Sequence, residues 1–166
     1  MSGNFTELRV TALLAVLRPF LPEQPKRILV VGCGDGEEAG ILARETGAET
    51  IGIDLVTEFE LDHSLAAPAT LMAMDARDMR FDDASFDFVY SFHALEHIVE
   101  PERALAEMRR VLRPGAHYLI GTPNKARLLG YIGSDTRLWK KIHWNAYDWS
   151  KRLRGQWRNE AGAHAG

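Results

Sequence analysis

At 166 residues, with 46% apolar and 26% charged side chains, the chain has the size and balance of one globular domain that buries a core without covalent staples. A single cysteine, Cys33, excludes an intrachain disulfide scaffold and a cysteine-built zinc site, and nothing in the composition is collagenous or disordered. The net charge of −3 and a pI of about 6.1 are not those of a protein built to coat nucleic acid.

Apolar positions Leu8, Ala12, Ala15 and Val16, widened by Leu13, Leu14 and Leu17, predict an amphipathic helix over 4–18 that ends before Pro19, Pro22 and Pro25. Its longest apolar run, Ala12 to Leu17, is flanked by Glu7, Arg9 and Arg18, which excludes a signal-peptide core and a membrane span. With one cysteine in the chain, the expectation is a cytoplasmic protein.

Ile28 to Val31 is a short β-branched run of the kind buried in parallel sheets, and it stops at Gly32-Cys33-Gly34-Asp35-Gly36. A helix through about Thr46 follows, then a strand from Glu49 to Ile53 that ends on Asp54. Thr70 to Ala73 reads as a short strand before Asp75, and Phe86 to Phe92 as a strong one. Pro101 opens a helix to Leu112, where its missing N–H costs nothing; Arg113-Pro114-Gly115 closes it, and His117 to Gly121 is a fifth strand. Strands alternating with helices of this length predict an α/β, doubly wound, mainly parallel sheet.

In such sheets ligands bind beyond the carboxyl ends of the strands. Glycines let backbone turn sharply and approach a ligand closely. Asp54 stands 18 residues beyond Gly36, about where an acid accepts hydrogen bonds from a ribose diol. A dinucleotide loop would read G-x-G-x-x-G, but position 37 is glutamate, and Asp35, Glu37 and Glu38 oppose a diphosphate at the helix start. S-adenosylmethionine carries no phosphate, and its sulfonium and ammonium groups tolerate acids nearby. That chemistry favours it over NAD.

The stretches ILVVGCGDG (28–36), IGIDL (51–55), MDARDMRFDDASFDFVYSFHALEHI (74–98) and RALAEMRRVLRPGAHYLIGTPN (103–124) resemble the core of a class I S-adenosylmethionine-dependent methyltransferase of the small-molecule, type 11-like group. The resemblance implies that Gly32, Cys33, Gly34 and Gly36 lie under the methionine part of the cofactor. Asp54 would hold the ribose hydroxyls, with Leu55 against the adenine. Asp75 would bond the adenine amino group and Ala76 its ring edge, while backbone at Phe92 and His93 closes the methionyl side. Val30 stands where many members carry an acid that helps hold the cofactor's amino group. The family's sheet has seven strands and five are counted here, so the last two are expected to be lacking, which suggests a truncated chain. The edge left by the fifth strand would then favour a homodimer.

His93-Ala94-Leu95-Glu96-His97 matches the H-x-x-E-H pattern of inverted zinc peptidases, but it follows a sheet strand and no third ligand is suggested downstream, so no metal is expected. His93 and His97 are the candidates for a general base on the acceptor. Cys33 reads as a packing residue, with no histidine partner in sequence.

Residues 1–124, the expected cofactor-binding core, balance at −9, and residues 125–166 at +6 with all four tryptophans. The second stretch reads as a helical tail of the same domain, with a helix over Asn145–Glu160 weakened by Gly155. Packing on the sheet, or a lid admitting an anionic acceptor, is favoured there over tracking nucleic acid. The expected activity is methyl transfer to a small molecule. An NAD-dependent oxidoreductase and a catalytically silent cofactor-binding module are the competing readings.

Overall fold

The computed structural model describes residues 11–55, 67–122 and 138–154. Contacts divide the chain into two compact units, Met1–Thr122 and Pro123–Gly166.

In the first unit, residues 11–17 are helical; positions 4–10 of the expected helix lie outside the described residues. Strand β1 (Arg27–Val31), helix α1 (Glu37–Thr46), β2 (Glu49–Asp54), β3 (Thr70–Ala73), β4 (Phe86–Phe92), helix α2 (Pro101–Val111) and β5 (Leu112–Gly121) follow. All neighbouring strands pair in parallel, in the order β3-β2-β1-β4-β5. The chain winds outward from β1 to β3, crosses back, and winds the other way through β4 and β5. The reversal lies between β1 and β4, and the carboxyl ends of those two strands are where this class of sheet opens a crevice.

The near-continuous apolar runs of β1 and β4 follow from burial on both faces. Alternate residues serve two separate cores. Ile28, Val30, Phe88 and Tyr90 pack with Ala39 and Leu42 of α1 and with Leu17. Leu29, Val31, Ile53 and Val89 pack with Ala104, Met108 and Val111 of α2. A one-residue slip in either strand would exchange the two sets and disrupt both cores.

The expected turn at Arg113-Pro114-Gly115 does not separate α2 from the fifth strand; β5 begins at Leu112. Phe86 pairs with Leu112 and Phe88 with His117, so the residues between form an irregularity in the ladder that takes up the turn chemistry, with Gly115 at φ +80°. β3 and β5 lie at the two edges of the described sheet.

In the second unit, helix α3 spans Leu138–Leu153, seven residues earlier than the expected start at Asn145. No glycine or proline interrupts 138–153, so the helical segment runs back through Trp139 and Ile142. The expected continuation from 155 to 160 lies outside the described residues. Trp139, Ile142 and Trp149 are exposed. Among the described residues, no helix is long and apolar enough to cross a membrane.

Candidate active site

The glycine loop leaves β1 and is fastened to the end of β2. The N–H groups of Gly32 and Cys33 both donate to the Ile53 carbonyl, at 2.8 and 3.1 Å, and Gly34 N–H donates to Asp54 Oδ2 at 2.9 Å. Gly32, Gly34 and Gly36 hold φ of +72°, +51° and +79°, the left-handed region that glycine enters without penalty. A Cβ on Gly32 would come within 2.2 Å of the Ala94 Cβ, whereas one on Gly34 would meet nothing within 4 Å. The loop is therefore pressed against the segment after β4 at one glycine and opens onto free space at another. At the start of α1, Asp35 Oδ1 accepts from Glu37 N–H, and Glu37 and Glu38 occupy the first turn.

Across the switch point β4 ends on Phe92, 45% exposed, whose ring stacks on Tyr90 and meets the His93 ring edge-on with centroids 4.2 Å apart. His93 N–H donates to the Gly121 carbonyl. His93 is held at φ +55°, a conformation that costs a non-glycine residue about 1–2 kcal/mol. Its Nδ1 lies 3.2 Å from Glu96 Oε1. Glu96 Oε2 is buried and has no hydrogen-bond partner among the described residues, an expense of about 1–3 kcal/mol. Leu95–His97 form a 3-10 turn, not the α-helix on which histidines four apart would share a face, and His97 is exposed.

Of the residues expected around an adenosine, Leu55 is 67% exposed and Ala76 is buried. Asp75 is engaged within the chain. Its Oδ1 accepts from the N–H and Nε of Arg77, and its Oδ2 from Nη2 at 2.6 Å. Those hydrogen bonds hold the Asp75 carboxyl below the usual carboxylate range. An adenine amino group donating to Asp75 would share it with Arg77, a partner two residues away that no sequence pattern flagged.

Val30 is buried between Gly52 and Tyr90 in an apolar cluster. Burial and the neighbouring Glu38 carboxylate, which also takes the hydroxyl's hydrogen bond, push the Tyr90 hydroxyl well above the usual phenol range. Burial, with the charge of Asp54 adding to it, pushes the Cys33 thiol up to about 12, so the thiol is not a nucleophile. Its sulfur occupies the space that a side chain on Gly52 would need.

A family profile described as a methyltransferase domain matches residues 29–120, more than half of the chain. The chain belongs to this family. Over 104 residues it is 36% identical to tocopherol O-methyltransferase of Arabidopsis thaliana, a stretch that covers 58% of this chain and 30% of that protein. An S-adenosylmethionine-dependent methyltransferase from Methanosarcina mazei superposes with a TM-score of 0.55 at 30% identity, covering 63% of this chain and 55% of that one. A [4+2]-cyclase superposes with a TM-score of 0.62 at 24% identity over 82% of this chain and 56% of that one, a likeness of fold alone. The chain spans from about a third to half of the length of the curated relatives it matches.

The methyltransferase core fits S-adenosylmethionine on its own geometry. Gly34 gives open space above the loop, and Asp54 stands directly beside that glycine. The carboxylates at the start of α1 favour a cation over a diphosphate.

Proposed function

We propose that this chain binds S-adenosylmethionine and transfers its methyl group to a small-molecule acceptor. The observation that carries the reading is the clasp between Asp54 Oδ2 and Gly34 N–H at 2.9 Å, which joins the acid at the end of β2 to the loop after β1. That clasp leaves Asp54 with further lone pairs for a ribose diol. Gly32, Cys33, Gly34 and Gly36 cradle the methionine part, Leu55 and Ala76 flank the adenine, and Asp75 meets its amino group in competition with Arg77. Backbone at Phe92 and His93 closes the methionyl side. With Val30 apolar, Glu38 at the start of α1 supplies the negative charge facing the ammonium group.

A bound S-adenosylmethionine would supply a methyl group activated by its sulfonium charge, which the acceptor's lone pair would take while the electron pair of the broken carbon–sulfur bond stayed on sulfur. The protein contributes position and exclusion of water. Isothermal titration with S-adenosylmethionine, S-adenosylhomocysteine and NAD tests the reading. Adenosyl ligands should bind in the micromolar range and NAD should not. Asp54→Ala, which removes charge-assisted hydrogen bonds, should weaken binding about 10- to 100-fold. NAD binding alone would overturn the proposal. Adenosyl binding without turnover on any acceptor would instead favour a catalytically silent module.

A further inference from the structure

We propose that His93 and Glu96 form a base dyad at the mouth of the site, and that the acceptor is therefore a hydroxyl on an aromatic ring. The inference rests on the reading of this chain as a methyltransferase that binds S-adenosylmethionine.

His93 directly follows β4, and its neighbour Ala94 is the residue pressed against Gly32 of the loop. His93 thus stands at the end of β4, one residue before the contact with the cradle and across the switch point from β1 and Asp54. Glu96 Oε1 lies 3.2 Å from Nδ1. A carboxylate only accepts hydrogen bonds, so the neutral ring carries its hydrogen on Nδ1 and keeps a lone pair on Nε2. No described hydrogen bond reaches Nε2, and the His93 side chain is 54% exposed against 15% for Glu96. A mostly buried carboxylate therefore orients a half-exposed histidine whose Nε2 takes no described hydrogen bond, the arrangement that sets a tautomer and stabilises an imidazolium.

Two unfavourable features accompany it: the left-handed backbone at His93 and the unpartnered second oxygen of Glu96. Strain of this kind concentrates at functional sites. A surface ion pair formed for stability would need neither.

The dyad narrows the acceptor. A thiolate or a neutral amine attacks a sulfonium-bound methyl without giving up a proton first. A hydroxyl must give up its proton, and a phenol, with a pKa near 10 and about one part in a thousand ionised at neutral pH, lies within reach of a histidine base as an aliphatic alcohol does not. The half-exposed Phe92 ring, edge-on to His93, offers an aromatic surface for such a ring beside the base. In the step itself, His93 Nε2 would take the hydroxyl proton as the oxygen–methyl bond forms and the methyl–sulfur bond breaks with its electron pair left on sulfur, and the imidazolium would later give that proton to water. Glu96 is a positioning residue that acts through His93.

The test uses the full chain with catechol and hydroquinone as acceptors, and thiophenol and aniline as controls. The phenols should be methylated. His93→Gln should lower kcat by about 100-fold or more, with S-adenosylhomocysteine affinity within about threefold of the parent, because the cofactor contact proposed at 93 is backbone. Glu96→Gln should lower kcat at least about tenfold with little change in KM, since an amide facing Nδ1 favours the wrong tautomer. His93→Gly suits the positive φ, and free imidazole should restore a measurable part of its lost rate, which a structural role would not allow. A chain that binds S-adenosylhomocysteine but leaves both phenols unmethylated, or methylates them equally well without His93, overturns the dyad. Failure to bind adenosyl ligands at all would instead overturn the reading on which it rests.

Discussion

Cys33 lies inside the glycine loop, and its environment makes it a packing residue. Cys33 is buried beside Gly52 near the charge of Asp54, and its thiol is pushed up to about 12. At pH 8 almost none of it is thiolate, whereas the same thiol in an unfolded chain, with a pKa near 8.5, is partly ionised. Iodoacetamide should accordingly leave the folded chain unmodified for a period in which the urea-unfolded chain is fully alkylated; mass spectrometry reads the difference, and fast modification of the folded chain would contradict the burial described. Gly32 is constrained from the other direction. Gly32→Ala places a Cβ 2.2 Å from that of Ala94 at φ +72°. Neither neighbour is a flexible side-chain end, so loop and post-β4 segment must separate. A loss of about 2–4 kcal/mol in urea unfolding is expected, with adenosyl binding abolished.

At the level of elements, one carboxylate ties the sheet together at the end opposite the site. Asp87 at the start of β4 accepts from the N–H groups of Lys26 and Arg27 at 2.7 and 2.9 Å and pairs with Arg113 of β5, so it joins three neighbouring strands. Burial opposes its ionised form, but those N–H groups and the Arg113 charge outweigh burial and hold its carboxyl below the usual range. Glu107 of α2 is lowered as well, chiefly by hydrogen bonds from Arg110, and it also accepts from Met79 N–H. Each group binds protons more weakly folded than unfolded. Their stabilisation is therefore complete above the unfolded carboxylate pKa of about 4 and is lost as pH falls through the lower folded values. Urea midpoints should hold level from pH 7 to about 5 and drop below pH 4. Asp87→Ala should cost about 2–3 kcal/mol and flatten part of that acid slope; an unchanged slope would show that the clasp does not carry the stability.

Across the first unit, protection should follow the two cores. β1 and β4 are covered on both faces, while β3 is mostly exposed and β5 carries exposed residues along much of its length. Native-state hydrogen exchange should be slowest in β1, β2 and β4 and faster in β3 and β5. Equal protection at the edges would mean that something covers them. Fold and function separate at this scale, because a methyltransferase and a cyclase both superpose on this sheet. What the chain does has to be read from its residues at the switch point.

Much of this architecture is legible in sequence because its signals are local. The β-branched run Ile28–Val31 marked β1, the run from Phe86 to Phe92 marked β4, Pro101 marked the start of α2, and the glycines marked the loop. The order of the loop, Asp54 and the segment after Phe92 along the chain was enough to expect them at one crevice, since a parallel sheet brings every strand's carboxyl end to the same side. The start of β5 escaped, because Arg113-Pro114-Gly115 carries the chemistry of a turn and only pairing with β4 turns it into a strand irregularity. The partners of the charged groups escaped as well. Arg77 on Asp75, Glu38 on Tyr90, Glu96 on His93 and Arg113 on Asp87 depend on side-chain directions and on which elements pack together. Residue type and spacing determined the sheet and the meeting of the glycine loop with Asp54 at its carboxyl end. Only the tertiary structure decided which carboxylates are already engaged and which histidine is oriented, because hydrogen bonds between side chains depend on distances that linear order does not contain.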